Sequence, residues 1–247
     1  MDGLLLVHAF PVDARMWEPQ IAALNASGIP VVAPHLPGFG GTAEAPSGVM
    51  TMRSAAERCL EELDAAGVGR AVVCGLSMGG YVAFDLWREA RERILGLVLA
   101  NTRAEADPPE GAERRRDLAR RLREEGNVLV ANPPPLLSAR ASEVLWDRVR
   151  GMIAAQSPSA IAAASIGMAE RPDSTADLPS IDTPTAVVTS DGDTLIPPDV
   201  TSTISELVPG ATLTTIERAG HLSNLEAPEA FNGALERHLA RCGLIPG

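Results

Sequence analysis

Short apolar runs rich in Val and Leu recur along this chain, at 4–7, 31–33, 71–74, 95–100, 185–189 and 211–216. A run that is apolar at nearly every position suits a strand covered on both faces, the situation of a parallel sheet inside a layered domain. Each run is followed by a turn, and amphipathic stretches lie between them at 17–27, 52–66, 78–92, 199–208 and 227–241. Strand-like runs alternating with helical patterns predict βαβ units, and so a doubly wound, mostly parallel α/β sheet with helices on both faces. Right-handed crossovers then collect every strand-to-helix loop at one sheet edge, where open α/β sheets bind their ligands.

Residues 103–180 break this rhythm. They carry charge-rich and alanine-rich helical stretches ("EGAERRRDLARRLREEG", "SEVLWDRVRGMIAAQ", "SPSAIAAASIGMAE") and the breaker "NPPPLL", with no convincing strand. The expected organisation is a core of 1–102 and 181–247 with 103–180 as a helical cap over the strand ends. The net charge of −11 argues against nucleic acid, which requires a basic face. Every cationic Lys or Arg position is Arg, a composition that demands no particular function. Three cysteines, 59, 74 and 242, have neither disulfide-framework nor metal-type spacing. The opening "MDGLLLVHAF" has only four consecutive apolar residues, far short of a signal or membrane segment. A cytoplasmic protein with no membrane partner is expected.

The third strand-like run ends in "VVCGLSMGGY", with Gly75 and Gly79 flanking Ser77 at minus two and plus two. Gly-x-Ser-x-Gly between a strand and a helix is the pattern of a nucleophile elbow, a turn so tight that neighbouring chains leave no room for a Cβ. The rival reading is a structural turn. A serine nucleophile needs a base, and the histidines are His8, His35, His221 and His238. His238 falls within the last charged helix, where a solvated role is expected, and His8 and His35 precede the serine. His221, in "ERAGHLSNLEAPEAF", follows the last strand and is the expected general base. The orienting carboxylate should follow the preceding strand, where "TSDGDTLIPP" offers Asp193, with Asp191 as the fallback. The backbone N–H groups of Met78 and Phe10 are the expected oxyanion donors.

Taken together, "LLLVHAFPVDARMWEPQ", "VVAPHLPGFGGT", "VVCGLSMGGYVAF", "LVLANTRAEAD", "TAVVTSDGDTLIPP" and "RAGHLSNLEAPEAFN" resemble the α/β-hydrolase superfamily, in particular its capped carboxylesterases, enol-lactonases and cofactor-free perhydrolases. The chain order Ser77, Asp193, His221 is the order that this resemblance implies. Relatives of this kind usually carry an antiparallel hairpin before the first of these strands. This chain starts almost on the strand, which suggests an open sheet edge or a homodimer. Ala9 and His35 also stand where Gly and Asp are usual. Ser77 argues against the dehalogenases and epoxide hydrolases of the superfamily, which place Asp at the elbow. The resemblance implies a serine hydrolase of a small or medium ester or lactone, without cofactor or metal. Carbon–carbon bond hydrolysis, perhydrolysis and non-catalytic ligand binding remain open alternatives. For the substrate pocket, the expected side chains are Arg103, Trp146, Met152 and Met168, although the same residues suit packing within the cap.

Overall fold

The computed structural model describes residues 1–246. In chain order its elements are β1 (Asp2–Val7), α1 (Glu18–Leu24), β2 (Val31–Val32), α2 (Met52–Ala65), β3 (Arg70–Leu76), α3 (Met78–Glu89), β4 (Ile94–Ala100), α4 (Pro109–Glu125), α5 (Glu143–Ala154), α6 (Pro158–Ala169), β5 (Thr185–Ser190), α7 (Pro198–Leu207), β6 (Thr212–Ile216), α8 (Ser223–Glu226) and α9 (Pro228–Arg241). The six strands form one all-parallel sheet in the order β2-β1-β3-β4-β5-β6.

Successive strand side chains point to opposite faces, so each continuous apolar run feeds two cores. Leu4, Leu6, Val72, Cys74, Val98 and Val188 face one core, completed by Leu24 of α1 and Phe231, Leu235 and Leu239 of α9. Leu5, Val7, Val73, Leu97, Leu99 and Val187 face the other, completed by α2, α3 and the α7 residue Ile204. Each fully buried Leu or Val contributes on the order of 1.5–3 kcal/mol, which is why the apolar runs read so plainly as strands.

Chain direction across the sheet reverses beside β1. The chain passes from β1 outward to β2, then crosses back to β3 on the other side of β1. The loops after β1 and β3 therefore border a topological switch point, where doubly wound sheets open a crevice. Between β4 and β5 lie α4, α5 and α6 and, among the described residues, no strand. Helix α4 lies along α6, and Ser165 Oγ donates to Arg115 O at 3.0 Å. Close to this pair, Met50 N donates to Ala163 O at 3.2 Å, tying α6 to the chain ahead of α2. No single helix among the described residues is long and apolar enough to cross a membrane.

Candidate active site

Ser77 joins β3 to α3 with φ 56° and ψ −114°. A non-glycine residue at positive φ outside the left-handed helical well stores roughly 1–3 kcal/mol of strain. The surrounding bonds hold it there. Ser77 N donates to Ala100 O at 2.9 Å, while Ser77 O accepts from Gly80 N and from Thr102 Oγ1, each at 2.8 Å. A Cβ on Gly75 would strike the Gly79 carbonyl, and one on Gly79 would strike the Val7 carbonyl. The two glycines are thus required by close approach. A serine preceding a helix ordinarily folds its hydroxyl back to cap the first turn. Ser77 makes no such side-chain bond, and its side chain lines a cavity instead.

Asp193 and His221 come together in the loops after β5 and β6, with His221 Nδ1 and Asp193 Oδ2 2.8 Å apart and both side chains fully buried. The remaining contacts fix the carboxylate. Its Oδ1 accepts from Leu195 N and Ile196 N, both at 2.9 Å, and its Oδ2 also accepts from Asn101 Nδ2 at 3.0 Å. Burial pushes this carboxyl up, but the hydrogen bond and charge of His221, with the Ile196 and Asn101 donors, more than offset it. Its net pKa lies below the ordinary carboxylate value. An ionised Asp193 accepts the Nδ1 proton, which leaves the lone pair on Nε2. That Nε2 is buried with no hydrogen-bond partner among the described residues, the Ser77 hydroxyl included.

Two residues support this arrangement that the sequence analysis did not single out. Asn101, at φ 43° just beyond β4, donates to Ser190 Oγ at 2.7 Å as well as to Asp193, and its Oδ1 accepts from Ser223 Oγ at 2.6 Å. Ser190 Oγ in turn donates to Gly220 O at 2.6 Å, so one buried amide ties the acid to both sides of the histidine loop. Glu226 accepts from Gly220 N at 2.8 Å and from Ser138 N at 2.9 Å, and also bonds the Ser138 hydroxyl. It pins the histidine loop to the chain between α4 and α5. The available signal was slight: a lone amide ending an apolar run, and a glutamate five residues after the histidine.

The other candidates take different places. Asp191 accepts from Arg218 N at 2.6 Å and bonds neither His221 nor the serine. His8 accepts from Leu36 N at Nε2 (3.1 Å), so its Nδ1 carries the proton toward Ala9 O (3.0 Å). Burial lowers its pKa to about 4, in keeping with a neutral ring. His35 Nδ1 accepts from Ala14 N at 3.4 Å, and its ring lies against Gly40. His238 is not solvated as expected. It lies on the inward face of α9 beside Gly96, and burial lowers its pKa to about 4. Burial also pushes the Cys59 thiol up to about 12 and Cys242 to about 11, and raises Cys74 further, so none of the three is a ready thiolate. Among the described residues, no three His, Cys, Asp or Glu side chains converge as a metal ligand set.

The cavity beside Ser77 has a volume of ≈ 360 Å³, within the size of small-molecule sites. Phe10, Arg103, Met168 and Ile196 line it, the last being itself a backbone donor to Asp193. Met78 itself is buried in the core, and its N–H, at the first turn of α3, has no intrahelical acceptor. Trp146 and Met152 do not line this cavity. Helix α5 turns Val149, Met152 and Ile153 into the first core. Trp146 packs at the margin of that core with the Arg150 guanidinium 5.6 Å from its ring centroid.

Comparison with known proteins agrees with this architecture. A family model described as "Alpha/beta hydrolase family" matches residues 4–234. Among solved structures, a malate-bound thermophilic esterase from Thermogutta terrifontis superposes with a TM-score of 0.93 at 38% identity, covering 98% of this chain and 90% of the other. The enol-lactonase from Burkholderia xenovorans LB400 superposes with a TM-score of 0.87 at 26% identity, over 97% and 92% of the two chains. Among curated proteins, a pimeloyl-[acyl-carrier protein] methyl ester esterase from Neisseria meningitidis is 27% identical over 254 residues, covering 97% of this chain and 93% of the relative.

Proposed function

The chain belongs to the alpha/beta hydrolase family, and from that premise we propose that it is a serine hydrolase cleaving a small or medium carboxylic ester or lactone through an acyl-enzyme. One observation carries this reading. An elbow serine with no capping bond lines a cavity at the sheet edge, and in the loops at that same edge a buried imidazole keeps one nitrogen unpartnered and the other on a carboxylate.

In the proposed mechanism Ser77 Oγ attacks the substrate carbonyl while His221 Nε2 removes its proton. Asp193 fixes the tautomer and stabilises the resulting imidazolium without taking the proton itself. The negative charge that develops on the carbonyl oxygen is met by the N–H groups of Met78 and Phe10, each such donor being worth about 3–4 kcal/mol in the transition state. The helix α3 dipole favours the same charge. Imidazolium then protonates the leaving oxygen. Water, deprotonated by the same nitrogen, hydrolyses the acyl-enzyme, releases the acid and restores Ser77.

In this reading residues 103–180 act as a cap. The cavity has Ser77 and Ile196 from the sheet edge on one side and Leu118 and Met168 from α4 and α6 on the other. Its volume of ≈ 360 Å³ suits a short acyl chain. The esterase, enol-lactonase and methyl ester esterase among its relatives support the ester or lactone class. The test is pre-steady-state hydrolysis of an activated 4-nitrophenyl ester. A stoichiometric burst lost in Ser77→Ala is expected, and full turnover by that variant would overturn the mechanism.

A further inference from the structure

The protein is strongly acidic, at −11, yet its cavity wall is cationic. Arg103, Arg114 and Arg115 stand in the lining against a single carboxylate, Asp107. That carboxylate is already committed: Arg115 and the buried Arg171 both bond it, the latter at 3.0 Å. Arg171 also covers the Tyr81 ring, 4.1 Å from its centroid, and donates to Glu105 O and Met168 O. These contacts make Arg115, Asp107 and Arg171 a structural tie. Arg103 and Arg114 are different, since neither has a carboxylate within salt-bridge distance among the described residues.

Arg103 is also held unlike an ordinary surface arginine. It follows Asn101 and Thr102, whose backbones are anchored by Asn101 N to Val188 O at 2.8 Å and Thr201 Oγ1 to Thr102 O at 2.8 Å. Arg103 is half-buried in the cavity lining that also contains Ser77, while Arg114, in the same lining, stands exposed on α4. A half-buried arginine with no counter-ion of its own leaves its charge for a ligand to pair. Its planar fork matches the two oxygens of a carboxylate.

We propose that this enzyme selects esters or lactones bearing a carboxylate remote from the scissile bond, bound by Arg103 with Arg114 at the cavity mouth. The inference rests on the hydrolase reading and narrows its substrate class. The cavity is lined elsewhere by Phe10, Leu118, Leu129 and Met168, an apolar passage that suits the carbon chain between the reacting carbonyl and the distal charge.

The experiment compares kcat/KM for the 4-nitrophenyl half-ester of glutaric acid with the same ester ending in a carboxamide. The two are nearly isosteric and differ in charge. The carboxylate is expected to be preferred by about tenfold or more, the range of a charge-assisted hydrogen bond. The preference should shrink with added salt and collapse to about one in Arg103→Gln. Arg103→Lys should keep part of it, and Arg114→Gln should lower it severalfold. Protection of Ser77 from a neutral fluorophosphonate gives the same comparison without turnover or any variant: glutarate should slow labelling and glutaramide should not. Equal or better use of the carboxamide, or equal protection by the two, would overturn carboxylate selection while a labelled Ser77 leaves the hydrolase reading intact. An unlabelled Ser77 with neither ester cleaved would overturn both.

Discussion

The buried cluster around His221 and the arginine side of the cavity are two walls in a loose sense only, and they are built on opposite principles. Around His221, Asp193 accepts four hydrogen bonds, from His221, Leu195, Ile196 and Asn101. The next residues outward, Ser190, Ser223, Gly220 and Glu226, are bonded in turn. Only the imidazole Nε2 is left over. In the cavity lining, Arg103 and Arg114 border open space with no carboxylate paired to them. A wall that satisfies every group but one is suited to a fixed chemical task. A wall that leaves cations unpaired is suited to recognition, because the missing partner must arrive with the ligand. Preorganised groups serve catalysis because they need no reorganisation as charge develops.

The strongest way to break the comparison is to remove the leftover nitrogen. His221→Ala should lower kcat for an activated ester by on the order of 10⁵-fold or more, measured by steady-state kinetics with folding checked by circular dichroism. Asp193→Asn comes next. An amide there reverses the donor–acceptor sense toward Nδ1, so a loss of roughly 10⁴-fold in kcat is expected, with the Leu195 and Ile196 contacts able to persist on the remaining oxygen.

Asn101→Asp tests whether the outer layer of the bonded wall acts on the chemistry. The substitution keeps shape and tolerance of positive φ but puts a second acid 3.0 Å from the Asp193 carboxylate in place of a donor. Like charges raise carboxyl pKa values, so kcat should fall about 10- to 100-fold and the acid limb of the pH–kcat profile should move upward. A purely structural role would lower stability and leave that limb in place.

The histidines outside the proposed relay give a smaller, pH-defined effect. His8 and His238 are depressed from 6.5 to about 4 by burial. As pH falls from 6.5 toward 4, the unfolded chain takes up protons that the folded chain refuses. Stability should therefore drop by about 1.4 kcal/mol per pH unit for each histidine in that window, and neither should contribute above it. Urea titrations across the window measure the slope, and His8→Gln should reduce it. The smallest effect belongs to Trp146→Leu, at a side chain absent from both walls, which should change kcat/KM by no more than about threefold.

The inner strands of this fold were legible because burial on both sheet faces leaves apolar residues in succession, as in Leu4 to Val7, whereas β6, at the sheet edge, is largely exposed; the elbow was legible because its glycines are forced by contact. Much of the support for the site was not. Asn101 bonds partners 89, 92 and 122 residues away, and a single amide carries no periodic signal of such distant contacts. The pocket wall was only partly legible for a related reason. Helix α5 shows that Met152 faces something apolar, and only tertiary packing decides that this is the core. His238 lies in a charged helical stretch, and just one face of that helix meets the sheet.

The central claim is that the hydroxyl at the elbow is the activated nucleophile. Treatment of the folded protein with a neutral fluorophosphonate, followed by peptide mass spectrometry, tests it most directly. One adduct per chain is expected, located on Ser77 and lost when His221 is replaced by alanine. A folded protein that takes up no adduct, or takes it up on another residue, would contradict it.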